Sequence, residues 1–279
     1  MKWQGREGSD NIEDRRGGRG KMIGGLGAGG VIIAIIIYFL GGHPGQLMNA
    51  LQQQPQQETT TQSAEQDALK EFVSVTLKDT EDVWEKLFRE TYNREYVKPT
   101  LVLFTESDQS GCGFAQAATG PFYCPADSKV YLDLSFFNEM KTRFKAPGDF
   151  AMAYVIAHEV GHHVQHLNGT SDKVHQMQQQ LTKEEANELS VRLELQADFY
   201  AGVWAYHAQS MKNILEAGDV DEALNAANAI GDDRLQMEAQ GYVVPDAFTH
   251  GTSEQRMYWF KKGFETGDMS LSNTFESEI

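Results

Sequence analysis

Two histidines and a glutamate near the middle of the chain have the spacing of a zinc site. His158, Glu159 and His162 form the pattern H-E-x-x-H. Residues four positions apart on a helix share one face, so both imidazoles could bind one Zn²⁺ from the same side. Glu159 would lie beside the metal, where its carboxylate can accept a proton from a water molecule. The pattern therefore predicts one zinc ion per chain and hydrolytic chemistry at that ion.

This chemistry requires a helix, and the flanking sequence indicates one from about 149 to 167. Apolar residues recur at helical spacing between Ala151 and Leu167, and Asn168 and Gly169 form a typical stop signal. Gly161 lies between the two histidines, although glycine costs a helix roughly 1 kcal/mol relative to alanine. We therefore expect another element to pack closely against the helix at Gly161.

A second helical stretch, from about 171 to 211, supplies candidates for the remaining zinc ligand. Glu194 and Asp198 lie four residues apart on one face, among apolar neighbours. Catalytic zinc takes three protein ligands, and a further carboxylate commonly orients a ligating histidine. We predict Glu194 as the third ligand and Asp198 behind His158, with Asp198 as the alternative ligand. A third histidine in the pattern H-E-x-x-H-x-x-G-x-x-H is excluded, because Gln165 and Asn168 occupy the required positions.

Two basic residues near the C-terminus are candidates for stabilising the negative charge that develops on a substrate oxygen. His250 precedes a helix whose start is marked by a capping box, and residues in such turns can reach into a cleft. Arg256 lies within that helix, where an ion pair with an acidic residue is the competing role. We expect His250 to be the oxyanion donor, with Arg256 as the second candidate.

The residues ahead of the zinc motif predict a small sheet. Residues 100–105 are a short apolar run typical of a buried strand. Residues 130–134 alternate between apolar and other side chains, as half-buried strands do. If Val130, Tyr131, Leu132 and Asp133 form an edge strand, they could bind an extended peptide by strand addition.

Charge and hydropathy along the chain predict an anchored protein with its domain outside the cytoplasm. The net charge of −16 repels phosphate backbones, which argues against nucleic-acid binding. Residues 22–40 are uncharged and apolar enough to span a bilayer. Six Lys and Arg residues precede this run and none occurs in residues 41–69, which predicts a cytoplasmic N-terminus. A cleaved signal peptide is the alternative interpretation.

This topology divides the chain into four predicted parts. Residues 1–21 are a cytoplasmic segment, 22–40 a transmembrane helix, 41–66 a flexible linker rich in Gln and Thr, and 67–279 the zinc domain. Gly25 and Gly29 could pair two anchor helices into a weak dimer. Because a domain outside the cytoplasm is in an oxidising compartment, we expect a disulfide between Cys112 and Cys124, with two free buried thiols as the alternative.

Together these residues resemble the bacterial neutral zinc metallopeptidase family, whose members are single-span membrane proteins. The resemblance covers nearly the whole chain through segments that occur in order: residues 3–6, 11–17, 120–124, 130–137, 158–162, 194–198 and 250–256. It implies an α+β, zincin-like fold of the gluzincin type, mostly helical with a small sheet. It also implies zinc ligation by His158, His162 and Glu194, with Glu159 as the catalytic base.

The sequence thus predicts an endopeptidase of the cytoplasmic membrane that hydrolyses a peptide or protein substrate on the periplasmic, extracytoplasmic side. A non-catalytic envelope interaction module stabilised by zinc is one alternative, but a structural zinc site has no use for a base such as Glu159. A zinc hydrolase acting on a non-peptide amide is the other alternative.

Overall fold

The computed structural model describes residues 1–16 and 57–277 of the chain. The predicted transmembrane helix at 22–40, its glycines and most of the predicted linker therefore lie outside the described residues. Within the described ranges, no helix is both long and apolar enough to cross a membrane. By its internal contacts the chain forms two units, Met1–Arg16 with Leu69–Ile279, and Gly17–Ala68. The first unit contains every residue predicted for the zinc site.

Helices make up most of the described chain, as predicted. They are α1 (Gln57–Tyr92), α2 (Ser135–Thr142), α3 (Asp149–Leu167), α4 (Thr170–Gln178), α5 (Lys183–Lys212), α6 (Asp219–Ala229), α7 (Asp232–Gln240) and α8 (Ser253–Thr266). Helix α3 carries the zinc motif and matches its predicted bounds. The stretch predicted as one helix from 171 to 211 is two, because Thr182 and Glu185 form a capping box that starts α5. Helix α1 begins at Gln57, so the last ten residues of the predicted linker, 57–66, are helical.

A four-stranded sheet lies before α3 in sequence and has the order β1-β2-β6-β5. Its strands are β1 (Ile12–Asp14), β2 (Thr100–Phe104), β5 (Phe122–Cys124) and β6 (Lys129–Asp133). Strand β2 is parallel to β1 and to β6, whereas β5 is antiparallel to β6. Strands β3 (Ser107–Ser110) and β4 (Gly113–Gln116) form a separate hairpin. The predicted α+β class is therefore correct.

The prediction that Val130, Tyr131, Leu132 and Asp133 form a substrate-binding edge strand is wrong. These residues belong to β6, which is hydrogen-bonded to β2 on one side and to β5 on the other. All four are buried rather than alternately exposed. Over residues 129–131 both sides of β6 have backbone partners, so no peptide can add to this part of the strand. Among the described strands, β5 is the edge on this side of the sheet.

The first sixteen residues are part of the zinc domain and not a separate segment. Strand β1 pairs with β2, and the backbone N–H of Leu101 donates to the carbonyl of Asn11 at 2.9 Å. The α-amino group of Met1 forms an ion pair with Asp149, the first residue of α3. Hydrogen-bonded strands must lie on the same side of a membrane. The predicted boundary at residue 21, with the N-terminus inside and the domain outside, is therefore incompatible with this packing.

The core of the domain surrounds α3. Apolar residues of α1, α5, α6, α8 and one face of the sheet form one buried cluster with it. The other face of the sheet packs against the β3–β4 hairpin through a small cluster that includes Val102, Ala115 and Tyr131. Most residues of α3 are buried, as expected for a helix enclosed on several sides. The zinc motif is thus held by a rigid central helix.

The close packing predicted at Gly161 is confirmed. A Cβ atom at this position would lie 3.0 Å from the carbonyl oxygen of Ala197 and 3.1 Å from its Cα, both in the backbone of α5. Only glycine lets the two helices approach this closely. The approach brings Glu194, one turn before Ala197, next to the histidines of α3.

Candidate metal centre and its cleft

His158, His162 and Glu194 come together where α3 packs against α5. Their ligand atoms all lie within 4.8 Å of one another. His158 Nε2 is 3.1 Å from Glu194 Oε2, and His162 Nε2 is 3.4 Å from Glu194 Oε1. Two imidazoles and one carboxylate are a donor set that suits zinc with a fourth position open for water. The residues present therefore fit a catalytic zinc ion.

Each candidate histidine ligand is oriented through its other ring nitrogen. His158 Nδ1 lies 2.8 Å from Asp198 Oδ1, and His162 Nδ1 lies 2.9 Å from Gln165 Oε1. Because Nδ1 donates its hydrogen to these oxygens, Nε2 of each ring presents a lone pair to the metal position. The contact of Asp198 is the one predicted. The contact of Gln165 is not among the sequence predictions, although its spacing of three residues from His162 indicates this role.

Asp198 is the centre of a buried polar network. It accepts hydrogen bonds from Tyr154 Oη and from Arg256, whose Nε lies 2.8 Å from Oδ2 and whose Nη2 lies 3.1 Å from Oδ1. Burial by itself would raise the pKa of Asp198, but Arg256 and His158 outweigh this effect and lower it. Asp198 is therefore a carboxylate that stabilises the orientation of His158.

Arg256 forms an ion pair with an acidic residue, which is the competing role predicted for it. Arg256 is only 2% exposed, and its guanidinium also donates to Tyr154 Oη at 3.2 Å. The donors that face Asp198 and Tyr154 are occupied, so Arg256 is an ion-pair partner of Asp198. It also lines the cleft, and its part as the alternative oxyanion donor stays a prediction. Tyr154 was not identified from the sequence, although it lies one helical turn before His158, on the same face.

Glu159 lies at the wall of a cleft of about 560 Å³. Its side chain is almost buried, and the backbone of Tyr123 in β5 acts to lower its pKa. Burial raises the pKa of Glu159 above its ordinary value, although the two histidines act in the opposite direction. A raised pKa brings a general base closer to the pH at which it can both accept and release a proton. The cleft wall is largely apolar and includes Phe122, Phe136, Phe144, Val155 and Leu193.

His250 lines the same cleft, as its predicted role requires. Its side chain is 52% exposed, and its Nδ1 lies 3.2 Å from Asp232 Oδ1. The hydrogen bond with Asp232 is the main cause of a raised pKa for His250. A protonated ring bonded to Asp232 through Nδ1 would retain an N–H at Nε2 that can be donated to a ligand.

The predicted disulfide between Cys112 and Cys124 is confirmed, with a Cα–Cα distance of 5.8 Å. Cys124 is the last residue of β5, and Cys112 lies in the turn of the β3–β4 hairpin. The bridge therefore attaches the hairpin to the strand that borders the cleft.

Comparison with known proteins agrees with this geometry. The sequence model of a family described as "Putative neutral zinc metallopeptidase" matches residues 1–275. The chain belongs to this family. The resemblance inferred from the motifs is therefore correct, and a zinc-dependent hydrolase is supported at a coarse level.

Related sequences also match the chain, some over its whole length. The Escherichia coli K12 protein named "Uncharacterized protein YpfJ" is 51% identical over 289 aligned positions, which cover all of both chains. The Mycobacterium bovis protein Mb2605 and the Mycobacterium tuberculosis protein Rv2575 are each 43% identical over 192 positions, or 65% of this chain and 64% of theirs. No solved structure matches the chain.

Proposed function

We propose that this protein is a zinc-dependent endopeptidase of the gluzincin type. The observation that supports it most directly is the position of Glu159. This buried carboxylate lies on the same helix as two candidate ligands, and it faces the cleft in which their free nitrogens meet Glu194. A site that only stabilised the fold would be closed by four protein ligands and would have no use for a base.

The residues of the site have distinct tasks in peptide hydrolysis. Zinc held by His158, His162 and Glu194 would polarise the scissile carbonyl and lower the pKa of a water molecule toward about 7. Glu159 accepts the proton of the attacking water and transfers it to the leaving amine. His250 donates a hydrogen bond to the oxygen on which negative charge develops.

An extended peptide would bind along β5 rather than β6. In an antiparallel pair, alternate residues direct their backbone groups away from the partner strand. Tyr123 lines the cleft beside Glu159, and its backbone acts on the pKa of that carboxylate, so we infer that this residue directs its backbone groups toward the cleft. Its carbonyl is then placed to accept a hydrogen bond from a substrate N–H. Prolines at 121 and 125 flank the strand and limit this edge to a few residues.

We also propose that the domain, including residues 1–16, works outside the cytoplasm. The disulfide supports this location, because disulfides persist mainly in oxidising compartments. A single span at residues 22–40 would separate β1 from β2, so the predicted anchor and its weak dimer through Gly25 and Gly29 compete with this proposal. Labelling of cysteines introduced at exposed positions in residues 1–16 and in α8, in intact cells, would measure the compartment of each.

A peptide-library digestion tests the proposed activity. The zinc-loaded wild-type protein should cleave peptides, and both a chelator and the Glu159→Gln substitution should abolish cleavage. The Glu159→Gln protein should retain one zinc ion, because the amide has the same shape but cannot accept the water proton. Hydrolysis of small amides without peptide cleavage would favour the non-peptide alternative. No hydrolysis by the zinc-loaded wild type would favour the interaction module.

A further inference from the structure

His163 follows the candidate ligand His162 in sequence but has different surroundings. Its side chain is fully buried, and its Nε2 lies 2.6 Å from the carbonyl oxygen of Val97. Its Nδ1 lies 2.9 Å from Tyr123 Oη. The imidazole therefore connects α3 to the loop before β2 and to the edge strand β5.

The direction of both hydrogen bonds follows from the chemistry of the partners. A backbone carbonyl can only accept, so Nε2 of His163 must carry the hydrogen that bonds Val97. The other nitrogen of a neutral imidazole has a lone pair, so Tyr123 Oη–H must donate to Nδ1. The ring of Tyr123 also packs edge-on against His163, with ring centroids 5.3 Å apart. Both the position and the hydroxyl direction of Tyr123 are thus fixed by His163.

Tyr123 contacts α3 a second time through its ring, which lies 6.1 Å from that of His166 between centroids. It also lines the cleft together with Glu159, the candidate base. One residue of β5 is therefore held against α3 at His163 and at His166, and it borders the cleft at the base. These two contacts fix the strand relative to the base and the ligands.

We propose that His163 is a positioning residue that sets the register of an extended substrate by holding Tyr123, and through it β5, against α3. The inference rests on the proposed peptidase function, because it concerns the strand along which that substrate would lie. Reactive groups must be placed to within a fraction of an ångström, and a misplacement of about 1 Å can cost roughly 100-fold in rate. A bond from the metal helix to the substrate strand supplies this constraint.

The substitution Tyr123→Phe tests the inference with little disturbance of the fold, because it removes only the hydroxyl. Tyr96→Phe is the matched control. The ring of Tyr96 also packs against His163, at 5.7 Å between centroids, and its buried hydroxyl has no hydrogen-bond partner among the described residues. His163→Phe removes both hydrogen bonds and should reproduce the effect of Tyr123→Phe.

Amide hydrogen exchange gives a measurement that does not depend on activity. The segment 121–125 should exchange roughly tenfold faster in zinc-loaded Tyr123→Phe than in the wild type, as expected for the loss of one hydrogen bond. Tyr96→Phe should leave this segment unchanged. Equal protection in Tyr123→Phe and the wild type, or faster exchange in the Tyr96→Phe control, would overturn the inference.

Kinetics with two substrates then separates positioning from a general structural effect. An extended hexapeptide can pair with β5, whereas a short blocked dipeptide amide makes few of these contacts. The ratio of kcat/KM for the long substrate to that for the short one should fall about tenfold in Tyr123→Phe. An equal loss on both substrates would contradict a role in register. Failure of the wild type to cleave either peptide would overturn the proposed function, and the exchange result would still report on the contact itself.

Discussion

Replacement of Gly161 by alanine tests how closely the two ligand-bearing helices must approach. The added Cβ would lie 3.0 Å from the carbonyl oxygen and 3.1 Å from the Cα of Ala197. These are backbone atoms of α5, so they cannot rotate away as a flexible side chain could. Helices α3 and α5 must therefore separate by a few tenths of an ångström to accept the methyl group.

The expected magnitude is the difference between two opposing effects. Alanine stabilises a helix interior by roughly 1 kcal/mol relative to glycine. Overpacking at a tight contact costs about 1–3 kcal/mol. The metal-free protein should therefore lose up to about 2 kcal/mol of stability. Zinc sites tolerate only about 0.2 Å in ligand distances, so moving Glu194 away from His158 and His162 should weaken zinc binding by roughly tenfold or more.

Zinc affinity can be measured by competition with a chromophoric chelator, and stability by urea unfolding of the metal-free protein. Gly202→Ala is the comparison, because its Cβ would lie 2.1 Å from the carbonyl oxygen of Phe260 in α8, on another face of α5. It should reduce stability more than Gly161→Ala does. Unchanged zinc affinity together with increased stability in Gly161→Ala would refute the argument that this glycine sets the ligand geometry.

Three further outcomes follow from the contacts of the site. Asp198→Asn should weaken zinc binding by roughly 10–100-fold in a competition titration. It should also reduce the free energy of unfolding by about 3 kcal/mol, because Arg256 loses its buried anion. Unchanged stability would contradict the ion pair of Arg256 with Asp198. His250→Ala should lower kcat by roughly 10²–10³ with little change in KM or zinc content, and normal turnover would exclude it as the oxyanion donor. Burial lowers the pKa of His163 to about 4. The unfolded chain therefore binds a proton that the folded protein does not, and stability should fall as the pH is lowered from about 6.5 to about 4, by up to roughly 3 kcal/mol; in urea titrations this part of the pH dependence should be absent from His163→Phe.

The sequence by itself determined the parts of this protein that depend on local spacing and on residue chemistry. The positions of His158 and His162 on one helical face follow from the helical period. The shared face of Glu194 and Asp198 on another helix follows from the same period. The close contact at Gly161 could be predicted because glycine is unfavourable in a helix without a packing reason. The α+β class followed from the resemblance to the family, and the disulfide followed from the expected oxidising compartment of a domain with two cysteines.

The tertiary structure decided which distant segments pair. Strand β6 alternates like an edge strand, but it is internal because β5 folds back onto it, and nothing in its own sequence encodes that neighbour. The N-terminal residues carry the charge pattern of a cytoplasmic segment, yet β1 pairs with β2 across more than eighty residues of intervening sequence. The buried ion pair of Arg256 with Asp198 joins residues 58 positions apart in sequence. Such contacts join residues far apart in sequence, whereas periodicity reports only which side of an element is buried and not what covers it.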